Sequence, residues 1–458
     1  MKYTLAVLVI AILTRIILAG TFPQLVIEND SADYYDVGRS ILTYPSLSTI
    51  VNPHRTPIYP LFIASIVRIA TGGFPDISSP AFTPGANMIL LAQGVLGIVA
   101  SLFWYKTLLL TGLSKRFAFY AYVLCAANIA VIAWERRLMT EGVAISWLLI
   151  VTYLSIRLLR TYSNILLVLL GVFSLIGFLL RPAFILIPPA LFLSIVALRK
   201  TNFVRAMCAV LAVLFLIMPW AYANGNRLYH GYNGITYYSD INLLGIIMQT
   251  GIPLESGARY RDIYNALRTY QAKGDSLYVF DFISQYDRMI FVNMDKMSQL
   301  QGFTRSILKI NTYRYLVSSL KAIPKTFSYQ YSLNLSASAN TITRKLFKGL
   351  ELMYDKTVYL TIVLFPLYAG LLLSKNRKNS MTGKSLHILG AVAITQSIMT
   401  AFFVYEADPL FKRMMAPVQY HVIAFIFICF YWLTTQKSHH LTRTKRQLSK
   451  KNSFSGLC

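Results

Sequence analysis

The stretch Pro57-Ile58-Tyr59-Pro60-Leu61-Phe62-Ile63-Ala64-Ser65-Ile66-Val67-Arg68-Ile69-Ala70-Thr71-Gly72 decides how this chain is threaded, because its reading sets the side of everything that follows. It is about one membrane span long, yet it opens with two prolines and carries Arg68. If it crosses a membrane, every later loop changes side. The charges choose between the two cases. With the stretch lying in the plane of the outer interface, the segments on the side of Lys2 are 112–116, 157–163, 199–205, 374–385 and the tail 434–458. Together with Lys2 they hold 18 Lys and Arg and no acidic residue. Short cytoplasmic loops are the basic ones, so this is a strong positive-inside pattern. A crossing would move those loops outside. The stretch therefore reads as an in-plane helix on the outer face, and both termini as cytoplasmic.

Around it lie ten apolar runs that read as spans. The first is Tyr3–Gly20; the others lie near 87–111, 117–134, 142–157, 164–180, 183–198, 206–222, 357–373, 386–403 and 417–433. Several are short for a hydrocarbon layer of about 30 Å, so their helices should extend past these limits. The first run could also be a signal peptide ending near Leu18-Ala19-Gly20, but Arg15 interrupts it beside the would-be cleavage site. It is read as an uncleaved span. The expected fold class is all-α: a polytopic membrane protein of about ten transmembrane helices plus juxtamembrane in-plane helices.

Composition agrees. The 458 residues are 55% hydrophobic and 14% charged, with mean hydropathy +0.52. The net charge of +26, from 44 Lys and Arg against 18 Asp and Glu, would suggest a nucleic-acid partner in a soluble protein. Apolar runs of span length remove that reading and point to membrane lipid. The charge is one of sidedness, since all 18 acids fall on the outer side or at outer span ends. Disordered, collagen-like and disulfide-scaffold classes fail on the same numbers. Cys125, Cys208 and Cys429 sit in apolar runs as small hydrophobes, and the terminal Cys458 does not make a prenylation box.

Four units follow. Residues 1–222 form an N-terminal membrane module whose outer loop, 21–86, carries the candidate acid; 223–356 form a large outer loop; 357–433 are C-terminal spans; 434–458 are a basic tail. The large loop has 16 Lys and Arg and 9 Asp and Glu, and a loop this long translocates regardless of charge. Its stretches Tyr260–Ala272 and Thr312–Leu335 alternate apolar and basic groups, as interface-hugging helices do. No repeat of fixed period is present.

Chemistry-bearing groups collect on the outer side. Glu28, Asp30, Asp33 and Asp36 fall within nine residues, which suits a general base or metal ligation as well as a plain solvated loop. Arg55 precedes the Pro57 helix start, a place suited to a phosphate and equally to an arginine that snorkels to headgroups. Glu141 opens the helix after the 117–134 run, where a carboxylate also gains from the helix dipole. Arg181-Pro182, Asn224–Arg227 with His230, and Arg413 before the last span complete the set. His230 is a candidate ligand or base, although an isolated histidine is more often a hydrogen-bonded surface group.

In this order the pieces resemble the GT-C superfamily of polytopic glycosyltransferases, and most closely its bacterial branch related to the lipid A aminoarabinose transferase and the protein O-mannosyltransferases. The likeness runs through Asp30 to Tyr34 and the Gly38–Leu42 helix, Arg55 with Pro57, Tyr59 and Pro60, Thr140-Glu141, Arg181-Pro182, Asn224–Arg227 and the non-crossing segment itself. It implies a sugar joined through phosphate to a polyprenyl lipid as donor. The acceptor, a glycan, lipid or protein, is not specified. The resemblance puts Asp30 in the place of the catalytic base or metal-orienting acid, Glu141 in that of the second acid, and Arg55 in that of the phosphate contact. Arg181, Arg227 and Arg413 are further candidates for the donor phosphate. The family often has Asp-Glu where this chain has Asp30-Ser31, so Asp33 and Glu28 are alternative bases. A divalent metal stays open, with Asp30, Glu141 and His230 as its candidate ligands. The site would face the periplasm, across a cytoplasmic membrane.

Two other classes compete. A polysaccharide polymerase or ligase also has ten to twelve spans and one large outer loop, but leans on Arg and His in that loop. A transporter or flippase needs ionisable residues mid-span, whereas here Arg15 and Lys106 lie toward span ends.

Overall fold

The computed structural model describes residues 1–199, 201–272, 278–286, 293–326, 345, 348–350, 364–373, 380–404 and 410–432. Those residues are helical, with a single isolated bridge pairing Val26 with Arg137. The tail 434–458 and the Glu406–Asp408 stretch fall outside them, as do most of 327–363.

In chain order the first helices are α1 Lys2–Thr21, α2 Asn29–Thr43, α3 Leu47–Ile50, α4 Ile58–Thr71, α5 Thr83–Leu110, α6 Lys115–Ala126, α7 Ile129–Ile132 and α8 Thr140–Arg160. Then come α9 Asn164–Leu180, α10 Ile187–Leu198 and α11 Asn202–His230. Six described helices are long and apolar enough to cross a membrane: α1, Pro80–Leu110, α8, α11, Met381–Phe403 and Arg413–Trp432. A seventh candidate is a bent pair, α6 with Ile129–Arg136, turning by 64°. The 117–134 run is thus a broken helix. α4, α9 and Pro182–Leu198 are shorter apolar helices.

Side-chain contacts settle the threading of the first loop. On α1, Val7 accepts from the Tyr122 hydroxyl, whose ring lies 6.4 Å from that of Tyr105 on α5. Eight residues further along, Arg15 of α1 lies at the level of Gly97 of α5. α5 therefore runs antiparallel to α1, and the whole segment between them starts and ends on one side of the bundle. An even number of crossings is required there, which a single helix, α4, cannot supply by crossing. The pro-rich stretch folds back instead, packing on α2 and α5, and closes at Gly72 in the left-handed conformation with φ 75°.

The remaining helices alternate in the same way. Phe103 meets Tyr153, Trp147 meets both Phe173 and Phe184, and Phe192 stacks on Phe215. At the far end the Thr382 hydroxyl donates to Thr111 and the Phe117 ring lies 4.7 Å from Tyr431. α8 is the central element, 89% buried over its apolar window, whereas α1 and α11 are 22% buried and line the periphery. Lipid provides no hydrophobic drive between helices, so close approach depends on small residues. A Cβ on Gly177 would lie 1.9 Å from the Trp147 ring, and one on Gly38 would lie 2.1 Å from the Pro60 carbonyl oxygen.

Arg15 is not a simple end-of-span group. Its guanidinium makes a two-pronged bond with Glu135, 2.9 and 2.6 Å, in the notch left by Gly97. Burial inside the bundle is tolerable because each charge has its partner.

The large loop builds its own core. Tyr232, α12 (Tyr237–Thr250), α13 (Arg261–Ala272), α14 (Val279–Tyr286) and α15 (Met294–Ile310) enclose Ile241, Leu244, Ile247, Leu267, Phe282 and Phe303. This corrects the reading of Tyr260–Ala272 as an interface-hugging helix: Ile263, Leu267 and Tyr270 turn inward to that core. The next helix, α16 (Thr312–Thr326), keeps an exposed apolar row, Tyr313, Leu316 and Leu320, and packs along the end of the Met381–Phe403 span.

Candidate functional site

The site begins with the entry into α2. Glu28 and Ser31 form a reciprocal capping box, and the Ser31 hydroxyl donates onward to the Leu138 carbonyl at 3.0 Å. Val26 exchanges backbone bonds of 2.9 Å with Arg136 and Leu138, and Glu28 pairs with Arg137. These links fix the first turn of α2, with Asp30, beside the residues that open α8 at Thr140 and Glu141. Ser31, directly after Asp30, is thus a cap.

Three carboxylates and three guanidiniums then alternate. Asp33 accepts from Arg55 at 3.1 Å, and Arg55 also pairs with Asp30 at 3.0 Å. Asp30 pairs through its other oxygen with Arg413 at 2.8 Å. Arg413 reaches Glu141 through Nε, and Glu141 pairs with Arg181 at 3.0 Å. Charge sums to zero along this row. Tyr238, from the loop core, donates to Asp33 at 2.6 Å and lays its ring 3.9 Å from the Arg55 guanidinium; the Tyr34 ring lies on Arg55 at 4.4 Å. The Arg55 Nε and Arg181 Nη1 donors are buried with no hydrogen-bond partner.

The electrostatics follow the geometry. Burial would raise the Asp30 pKa, but Arg55 and Arg413 outweigh it and hold Asp30 below the usual carboxylate range. Burial alone would loosen the proton on Arg55; Tyr34, Tyr238, Asp30 and Asp33 more than offset it. Burial also lifts the Tyr238 phenol above its ordinary value.

Asp30, Arg55, Arg181 and Arg413 of this row line a cavity of about 960 Å³ between the bundle and the loop core. Asp30, Arg55, Thr140, Arg181 and Arg413 form one wall; Tyr232, Ser239, Asp240, Gln301 and Arg305 contribute to the other. Of the residues singled out from sequence, Asp30, Asp33, Glu141, Arg55, Arg181 and Arg413 come together. Arg227 does not: it is exposed on the last turn of α11, while its neighbour Asn226 holds the Gly234 and Ile235 carbonyls at 2.7 and 3.0 Å. His230 also stands apart, with Nε2 2.8 Å from the Ser48 and Val51 carbonyls. Tyr238 had no signal in sequence, because nothing local marks one of 30 tyrosines as a partner of Asp33.

A divalent cation fits this donor set poorly. Asp30 spends both carboxylate oxygens on arginine, Glu141 bonds two more, and His230 belongs to a different contact. No group of three His, Cys, Asp or Glu suited to a metal occurs among the described residues.

No family model matches this chain, and no curated protein matches it. Among solved structures it is similar to the oligosaccharyltransferase of Archaeoglobus fulgidus, crystallised with a tethered acceptor peptide containing the NVT sequon. That likeness has 13% identity and a TM-score of 0.47, over 96% of this chain and 50% of the other. The chain spans half the length of that enzyme.

Proposed function

We propose that this protein is a membrane glycosyltransferase of GT-C type, which moves a sugar from a polyprenyl-phosphate-linked donor to an acceptor hydroxyl on the outer face of a cytoplasmic membrane. The observation that carries the reading is the row Asp33–Arg55–Asp30–Arg413–Glu141–Arg181, drawn from five separate parts of the chain, whose members Asp30, Arg55, Arg181 and Arg413 line the cavity. Two buried guanidinium N–H groups of this row, Arg55 Nε and Arg181 Nη1, have no partner among the described residues and so leave donors for an anionic group.

In the proposed reaction a carboxylate, Asp30 or Asp33, accepts the proton of the acceptor hydroxyl. The hydroxyl oxygen attacks the anomeric carbon as the bond from that carbon to the phosphate oxygen breaks, and the electron pair leaves with polyprenyl phosphate. Arg55, Arg413 and Arg181 stabilise the charge that grows there. Configuration inverts, and the leaving phosphate needs no general acid. Asp30, doubly bonded to arginine, is a weak base until those arginines turn to the donor phosphate, so donor binding would raise its basicity. The basic segments 112–116 and 157–163, at the end of the bundle away from the cavity, support a cytoplasmic placement of both termini.

Asp30→Asn and Glu141→Gln variants should assemble in vesicles yet lose sugar transfer from a polyprenyl-phosphate donor. Comparing surface glycans of cells carrying wild-type or Asp30→Asn protein would identify the product. Full transfer by both variants refutes the reading.

A further inference from the structure

The wall of the cavity facing the ion row holds a second buried acid, Asp240, which the transfer step does not use. Asp240 lies in the first turn of α12 and is 4% exposed. Its carboxylate receives the Tyr232 hydroxyl and Gln301 Nε2, the latter at 2.8 Å, and both bonds go to Oδ2. Oδ1 receives none from the described residues. No cation among the described residues forms an ion pair with it: the neighbouring Arg305 donates to the Asn233 carbonyl at 2.6 Å instead. Burial, only partly offset by Tyr232, Gln301 and the more distant charge of Arg305, keeps its pKa above the usual range.

An acid in this position is costly unless its free lone pairs meet donors. Hydroxyl groups of a carbohydrate are neutral donors at the right spacing for a carboxylate oxygen, and Ser239, Asn242 and Arg305 lining the same wall can meet further ones. We propose that Asp240, held by Tyr232 and Gln301, is the anchor of a sugar-binding subsite on the loop-core wall, with Oδ1 accepting from sugar hydroxyls. This rests on the transferase reading for its place in a reaction but not for its chemistry. The sugar is that of the donor or that of the acceptor, and the two are separable.

Saturation-transfer NMR on the full chain in micelles, with a panel of methyl pentosides and hexosides, tests it directly. At least one glycoside should show transfer from the wild-type protein. Asp240→Asn, which keeps a carbonyl for Tyr232 and Gln301, should weaken that glycoside by about tenfold, the value of a hydrogen bond to a charged group. Its unfolding temperature should stay near wild type. Gln301→Met, which frees one of the two bonds on Oδ2, should weaken the signal in the same direction. Adding polyprenyl-phosphate mannose distinguishes the sources: displacement assigns the subsite to the donor sugar, persistence to the acceptor. No glycoside signal from wild type, or equal signals from wild type and both variants, overturns the proposal. Because the readout is binding, it is independent of whether Asp30→Asn abolishes transfer.

Discussion

Arg413→Gln probes the ion row at its centre. Among the described residues Arg413 is the one that pairs with both Asp30 and Glu141, and Glu141 is fully buried, with 0% side-chain exposure. Removing its charge turns a neutral row of three acids and three arginines into one with a net charge of −1. Two unit charges about 4 Å apart interact by roughly 4 kcal/mol at the effective dielectric of a partly wet site. A donor phosphate would then face a repulsion of that order, and transfer should fall by about 10²- to 10³-fold. Breaking one arm of a buried pair costs about 3–5 kcal/mol; the remaining Arg181 contact and the partial exposure of Asp30 reduce that to roughly 2–3 kcal/mol here. Glu141→Gln/Arg413→Gln restores neutrality, so it should recover most of the stability and none of the transfer. The measurements are thermal unfolding in micelles and sugar transfer in vesicles for both single variants and the double. Arg413→Gln protein that transfers within threefold of wild type at unchanged stability would show that the row is neither a structural nor a phosphate-binding unit.

Further expectations concern packing, pH and sidedness. Gly38→Val places a Cβ against the Pro60 carbonyl oxygen, at 2.1 Å, and should force α2 from α4, lowering the unfolding temperature and moving Asp30 from Arg55; overpacking typically costs about 1–3 kcal/mol. Asp30 has a lowered folded pKa, so its contribution to stability is full above the unfolded value near 4 and is lost as pH falls through the lower folded value. The unfolding-temperature advantage of wild type over Asp30→Asn should therefore be constant from pH 7 to about 5 and shrink only below about 4; an advantage that disappears by pH 6 contradicts the pairing. Single cysteines at Ser46 and Ser78, exposed on either side of α4 in the chain, should label from the same side of sealed vesicles with an impermeant maleimide; labelling from opposite sides would refute the fold-back of α4.

That 57–72 does not cross was legible because two independent sequence signals, proline placement and charge sidedness, bear on one binary choice. The antiparallel contact of α1 with α5 reaches the same answer from packing alone. Loop helices were harder to read. Amphipathic periodicity in Arg261–Ala272 reports that one face is buried but not whether lipid or protein covers it, and the loop core turned out to cover it.

What the sequence by itself determined is the helical class, the approximate spans and the face that carries the acids, because these depend on local hydropathy and on charge counts. It also marked Asp30, Asp33, Arg55, Glu141, Arg181 and Arg413 as candidates, beside Arg227 and His230, and only for His230 did it favour a hydrogen-bonded group outside the site. Tertiary structure alone decided which of them come together. Asp30 meets Arg413 across 383 positions of chain, whereas Arg227 ends up on the exposed side of α11. It also supplied Tyr238 and the Asp240 wall, since a hydrogen bond between distant segments leaves no periodic trace in either of them.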